Sequence, residues 1–192
     1  MARIGKQLNK GIEALDVNEN TQAAKLSREL MGYVRSGLAY LDRYGGPRLR
    51  VERALSRRAR RKGLETEAAA EIVILAMAKL DAMEVMDDRA FATSKARGLR
   101  GRGTSGRAAL AKLMAAGVPA DLAVEALAAE DADLEDPERA AAERYAQRRR
   151  FGPWHHDSET RVSRRDKDIA AMARAGFPVR IAIDVIDENN SC

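Results

Sequence analysis

The chain has 192 residues, of which 45% are hydrophobic and 33% charged, with 34 basic and 29 acidic side chains for a formal net charge of +5. That balance excludes a disordered or collagen-like chain. Eight aromatic residues set against 36 alanines exclude a β-sandwich or barrel and point to an all-α fold of close-packed helices.

From the N-terminus, Ile4, Leu8, Ile12 and Leu15 trace an apolar stripe interrupted by Gly11, so residues 1–32 are expected to be a loose helix or partly disordered. A short helix carries Leu38 and Leu41. Pro47 then starts a second one with Val51, Leu55 and Ala59 on one side. Thr66 to about Met83 reads as a third, in which Ile72-Val73-Ile74-Leu75 has the look of a buried strand but the flanking alanines and the length favour helix. Asp87 or Asp88 caps a helix to about Arg100. Thr104 or Ser105 caps one ending at Gly117, and Pro119 begins the next. Pro137, Pro178 and Gly176 play the same opening and closing parts farther on.

Charge follows the same rhythm. Residues 43–62 carry nine basic side chains and one acid, 63–88 one and seven, 89–120 seven and none, 121–138 none and eight, and 139–167 nine and four. Such cycling predicts repeats. Leu110 through Gly117-Val118-Pro119 to Leu127 matches Ile169 through Gly176-Phe177-Pro178 to Ile186 at a constant offset of 59. Asp88–Ala92 matches Glu138–Ala142 at an offset of 50, which sets Arg100 on Arg150, and Gly63-Leu64 takes the place of Gly117-Val118 in a fainter first copy. The expected organisation is an extension over 1–32 and three-helix repeats over 33–84, 85–131 and 132–192. Stacked, they would form an elongated, curved array.

No window approaches the length of a membrane span and no secretory leader is visible, so a soluble, cytoplasmic protein is expected. The single cysteine, Cys192, excludes an internal disulfide. Gly101-Arg102-Gly103-Thr104-Ser105-Gly106 spells a dinucleotide-type glycine motif, but no strand feeds it; it reads as a flexible interhelix loop whose amides and flanking Arg100, Arg102 and Arg107 can clasp phosphate or carboxylate. His155 and His156 read as a solvated loop beside Trp154, with too few ligands for zinc. No nucleophile motif is present. Neither an enzyme, a metal nor a cofactor is therefore expected.

The arginines carry the functional signal. Arg89, Thr93, Arg97 and Arg100 share one helix face, Arg50, Arg53, Arg57 and Arg61 another, and Arg139 and Arg150, next to Arg148 and Arg149, bound a third. Recurring on successive repeats, Arg57, Arg61, Arg89, Arg97, Arg100, Arg102, Arg107, Arg148, Arg149 and Arg150 are expected to line one side of the array and to grip a polyanion or an acidic protein groove. A stand-alone DNA-binding or architectural protein is the rival reading. The acidic helix with Glu125, Glu130 and Asp131 argues against a major-groove reader.

Met86-Asp87-Asp88-Arg89-Ala90-Phe91-Ala92, Arg97, the glycine loop to Arg107, and Leu110-Ala111-Lys112-Leu113 closing on Gly117-Val118 resemble the central signature of the RecX family, regulators of the RecA recombinase. Leu38-Ala39-Tyr40-Leu41-Asp42-Arg43-Tyr44 to Arg61 is similar to that family's first repeat, and Ala140–Gly152 with Ala173–Val179 to its third. Glu84, Met86 and Gly45-Gly46-Pro47 depart from the pattern, in its capping details. The resemblance covers residues 35–188. It implies a monomer of three tandem repeats lying in the groove of the RecA–DNA filament, limiting filament growth or hastening disassembly and so lowering ATP hydrolysis, strand exchange and repressor autocleavage in recombination, DNA repair and the SOS response. Weak, salt-dependent contact with single- or double-stranded DNA is compatible with it.

Overall fold

A computed structural model describes the backbone of residues 2–188 and the side chains of residues 22–188. Among them there are nine α-helices, one 3₁₀ turn and no strand: α1 (Ala2–Tyr44), α2 (Arg48–Arg61), α3 (Thr66–Ala82), α4 (Asp88–Gly101), α5 (Gly106–Ala115), α6 (Ala120–Asp131), α7 (Pro137–Arg149), the 3₁₀ turn (Gly152–Trp154), α8 (Ser158–Arg174) and α9 (Val179–Asp187). The chain divides into two compact units between Met86 and Asp87. The apolar stripe expected over Ile4–Leu15, and Cys192, lie outside the described side chains.

In the first unit Val51, Leu55 and Ala59, four residues apart on α2, pack with Tyr33 and Val34 of α1 and with Ile72, Val73, Ala76, Met77 and Leu80 of α3. Of the strand-like run, Ile72 and Val73 are buried while Ile74 and Leu75 face water, the alternation of a helix turning its sides. At Gly37 of α1 a Cβ would lie 2.5 Å from the buried Leu80 side chain, so glycine is what lets α1 and α3 approach.

Three helices end alike. Gly63, Gly117 and Gly176 all have left-handed backbone (φ +72°, +95° and +100°). The next residue in each case, Leu64, Val118 or Phe177, donates its N–H to a carbonyl five residues back, on Ala59, Leu113 or Met172. This is the Schellman closure, with an apolar residue turned back onto the helix it ends. In chain order α2 is the counterpart of α5 and α8; α4 and α7 close with the same bond, from Thr104 to Leu99 and from Phe151 to Ala146.

The second unit has two alanine-rich cores. One combines Ala92, Ala96, Leu99, Ala109, Leu113, Val118, Ala123 and Ala126 of α4–α6. The other combines Ala141, Ala142, Ala146, Met172, Phe177, Ala182, Val185 and Ile186 of α7–α9. Asp87 caps α4 by accepting the Ala90 N–H at 2.8 Å and Asp136 caps α7 by accepting the Arg139 N–H at 2.9 Å. Those caps correct the expected register by one residue: Asp87 corresponds to Asp136. At the far ends the left-handed positions are Gly103 and Arg150 (φ +69° and +57°), so Arg150 stands where Gly103 does and Arg100 has no counterpart there. From cap to left-handed residue α7 spans two residues fewer than α4, Asp136 to Arg150 against Asp87 to Gly103.

Candidate partner-binding surface

The α4 stripe meets carboxylates. Arg89 pairs with Glu125, Arg97 with Glu130 at 3.4 Å, and Arg100 with Asp131 at 2.8 Å, all across α4 and α6. The acidic third helix thus neutralises the basic first helix of the same trio. Arg89 and Arg97 remain two-thirds or more exposed, so their pairs are solvent-screened surface contacts.

Arg100 is a correction to the expected stripe: it is only 2% exposed. Its Nε donates to Asp131, Nη1 to the Thr104 carbonyl (2.9 Å) and to Glu138 Oε2 (3.1 Å), and Nη2 to the Pro137 carbonyl (2.7 Å). A guanidinium with that many acceptors is satisfied internally. It staples the end of α4 to the start of α7 and presents nothing to a partner.

The glycine loop is likewise not flexible. A Cβ on Gly103 would sit 2.4 Å from the Tyr145 backbone nitrogen and 2.7 Å from the Ala141 carbonyl oxygen, so the loop lies directly on the α7 backbone. The buried Ser105 hydroxyl donates to the Ala175 carbonyl at 2.8 Å, and the Gly106 amide donates to Glu138 Oε2 at 2.9 Å. The expected clasp exists and holds a carboxylate of the same chain. A buried strand-fed phosphate site is not what this loop builds.

Around that junction the cations are open. Arg102, Arg107, Arg148, Arg149 and Arg150 are exposed, and none pairs with an acid among the described residues. Arg144, beside Gly103, donates to the Arg100 carbonyl at 3.5 Å. Arg148 and Arg149 each lean on the Tyr145 ring, 5.8 Å from its centroid. Arg107 Nε lies 3.4 Å from the position a Gly176 Cβ would take. Packing of the loop on α7 and on the α8 end thus sets Arg144 beside Gly103 and Arg107 beside Gly176, while Arg102 lies back along α4, 3.3 Å from the position a Gly98 Cβ would take. By contrast Arg139, which begins the third expected face, is held by Glu143 and Glu188.

In the first unit, Arg57 and Arg61 are exposed on α2 with Arg50, Arg53 and Arg60, and none of the five pairs with an acid among the described residues. At 100° per residue they occupy an arc of about 100° opposite Val51, Leu55 and Ala59. The cations on the flanks of α2 turn inward: Arg48 to Asp81 (3.1 Å) and Glu52 (3.3 Å), Arg58 over Tyr33 (5.4 Å), Lys62 to Glu29 (3.5 Å). This ridge lies on a middle helix, the counterpart of α5, whereas the α4 stripe lies on a first helix. The two stripes therefore do not occupy the matching places that the sequence led one to expect.

The histidine loop also departs from expectation. His155 Nε2 lies 2.6 Å from Asp168 Oδ2, which accepts the Gly152 N–H at 3.2 Å, and Asp168 is 1% exposed. His155 is a half-buried latch between the 3₁₀ turn and α8; only His156 is solvated. An acid four residues before Met172 on the core side of α8 is the signal that sequence reasoning passed over. Nearby, the Thr160 amide and hydroxyl hold the Asp157 carboxyl below its ordinary pKa, and Arg165 does the same for Asp187.

No group of three or more metal-ligating side chains occurs among the described residues, and no helix among them is long and apolar enough to cross a membrane. No family model matches the chain, and no solved structure does. The chain is 39% identical over 159 residues to a protein named regulatory protein RecX from Myxococcus xanthus (strain DK1622), covering 80% of this chain and 83% of that relative.

Proposed function

The chain belongs to the RecX family, and from that premise we propose that it regulates the RecA recombinase by binding the RecA–DNA filament and restraining it, through limited growth or faster disassembly. Kinship over four-fifths of the chain is the observation that carries this reading. The arrangement of cations supports it. Arg57, Arg61, Arg102, Arg107, Arg148, Arg149 and Arg150 are the contact residues, exposed and without an acid partner among the described residues. Arg89 and Arg97 contribute less, because Glu125 and Glu130 compete for them. The protein acts as a cytoplasmic monomer of three helical trios, a reading supported by the three like closures at Gly63, Gly117 and Gly176.

No chemistry is required of it. A ligand that prefers one filament state shifts the population by its differential affinity alone. Substoichiometric protein is expected to slow single-strand-dependent ATP hydrolysis by the cognate RecA, and to inhibit less once Arg102, Arg107 and Arg148 are alanine. An unchanged hydrolysis rate over a broad titration of folded protein sinks the reading. Tight duplex binding without retention on immobilised RecA would move the protein to the stand-alone DNA-binding class.

A further inference from the structure

Beside the arginine ridge of the first unit, α2 and α3 leave a groove of about 410 Å³ lined by Ser56, Arg60, Leu64, Thr66, Ala69 and Ala70. Its walls are small and largely aliphatic. The Ser56 hydroxyl is already committed to the Glu52 carbonyl at 2.9 Å, so it asks nothing of an occupant. One rim is Arg60, next on the outward arc to Arg53 and Arg57; the start of α3, with Glu65 and Glu67, is acidic. No aromatic ring lines the groove, so a nucleobase has nothing to stack on, whereas an aliphatic side chain loses apolar surface against Leu64, Ala69 and Ala70.

We propose that this groove docks an acidic, amphipathic segment of a partner protein, an aliphatic side chain in the groove and carboxylates on Arg53, Arg57 and Arg60. The inference rests on the reading that the chain works by binding a protein assembly, and it names the chemistry of the contact. Charge complementarity sets the direction of approach. Glu65 and Glu67 repel carboxylates from the α3 rim, while the guanidinium groups of the α2 rim, without an acid partner among the described residues, donate forked hydrogen bonds to them. The internal precedent is α6, whose Glu125 and Glu130 each accept one hydrogen bond from an arginine of α4. Along the groove α3 presents Ala69 and Ala70 in place of such acids, its Asp81 reaching only Arg48 at the other end of α2, and the ridge is left for an outside partner.

The test uses the full chain and fluorescence anisotropy with three probes of equal charge: a leucine–glutamate peptide in helical spacing, polyglutamate and oligothymidylate. The amphipathic peptide is expected to bind about tenfold tighter than polyglutamate. Ala70→Glu puts a carboxylate in the groove at an exposed position and is expected to weaken the peptide about tenfold, Arg60→Ala severalfold, with Arg89→Ala/Arg97→Ala unchanged. Circular dichroism checks that each variant is folded. Equal binding of polyglutamate, indifference to both groove variants, or tightest binding of oligothymidylate overturns the proposal; the last makes the ridge a nucleic-acid surface. RecA ATPase inhibition separates the two readings. Full inhibition by both groove variants removes the groove from the RecA contact, whereas absence of inhibition by the unaltered chain sinks RecA regulation and leaves peptide docking standing.

Discussion

Arginines of one chemical type serve three purposes in this chain, and their neighbours decide which. Arg100 is buried with four acceptors, Arg97 is exposed beside Glu130, and Arg57 is exposed with no acid partner among the described residues. The cost of truncation should follow. Arg100→Ala leaves Asp131 and Glu138 facing each other without their cation, and is expected to destabilise the second unit by about 2–4 kcal/mol in urea denaturation; the carboxylates keep some solvent, which holds the figure toward the low end for buried pairs. Arg97→Ala is expected to change stability by less than about 0.5 kcal/mol. Equal effects of the two would contradict the staple. Glycines divide in the same way. A Cβ at Gly63 meets open space, so Gly63→Ala carries only the left-handed penalty of about 1–2 kcal/mol. Gly103→Ala adds overlap with the α7 backbone and should cost more than about 3 kcal/mol or prevent α4 and α7 from docking.

Helix ends carry the pH dependence. Asp157 caps α8 through the Thr160 N–H at 2.7 Å and the Thr160 hydroxyl at 2.8 Å, and Asp187 near the end of α9 is gripped by Arg165. Both carboxyls have folded-state pKa values below the unfolded ones. Their stabilisation is therefore complete above the unfolded carboxylate value of about 3.9 and is lost as pH falls through the lower folded value. Hydrogen exchange of the first turn of α8 is expected to quicken in that acid window, and Asp157→Ala to abolish the dependence. Tyr33 behaves oppositely. Burial raises its pKa, so its contribution is complete below about 10 and is lost as pH rises through the folded value. Most helices are legible in the sequence, since Pro47, Asp87, Ser105, Gly117 and Gly176 are local signals acting within one turn; α1 is the exception, for the short helix expected at Leu38 and Leu41 is the end of one that begins at Ala2. Which face of a helix meets an acid is not such a signal. It depends on the helix that packs against it, and α4 and α2 read alike until α6 and α3 are laid beside them.

The division between Met86 and Asp87 carries its own prediction. The Arg100–Glu138 staple and the Gly103 contact both lie inside the second unit, so residues 87–192 expressed alone are expected to unfold in one cooperative transition by calorimetry, with Arg100→Ala lowering its midpoint. Separate early melting of α7–α9 would show that the staple does not couple the two alanine cores. Composition, periodicity and capping residues by themselves determined that this chain is all-α, where most helices begin and end, and which family it resembles, because those signals act over a few residues or add up over the whole chain. The tertiary structure alone decided that Arg100 is interior, that the glycine loop holds Glu138, that His155 is latched to Asp168, and that the α2 ridge meets no acid among the described residues. Each of these depends on charges and backbone distant in sequence being brought within hydrogen-bond reach, and the strength of an ion pair is set by that separation and its burial.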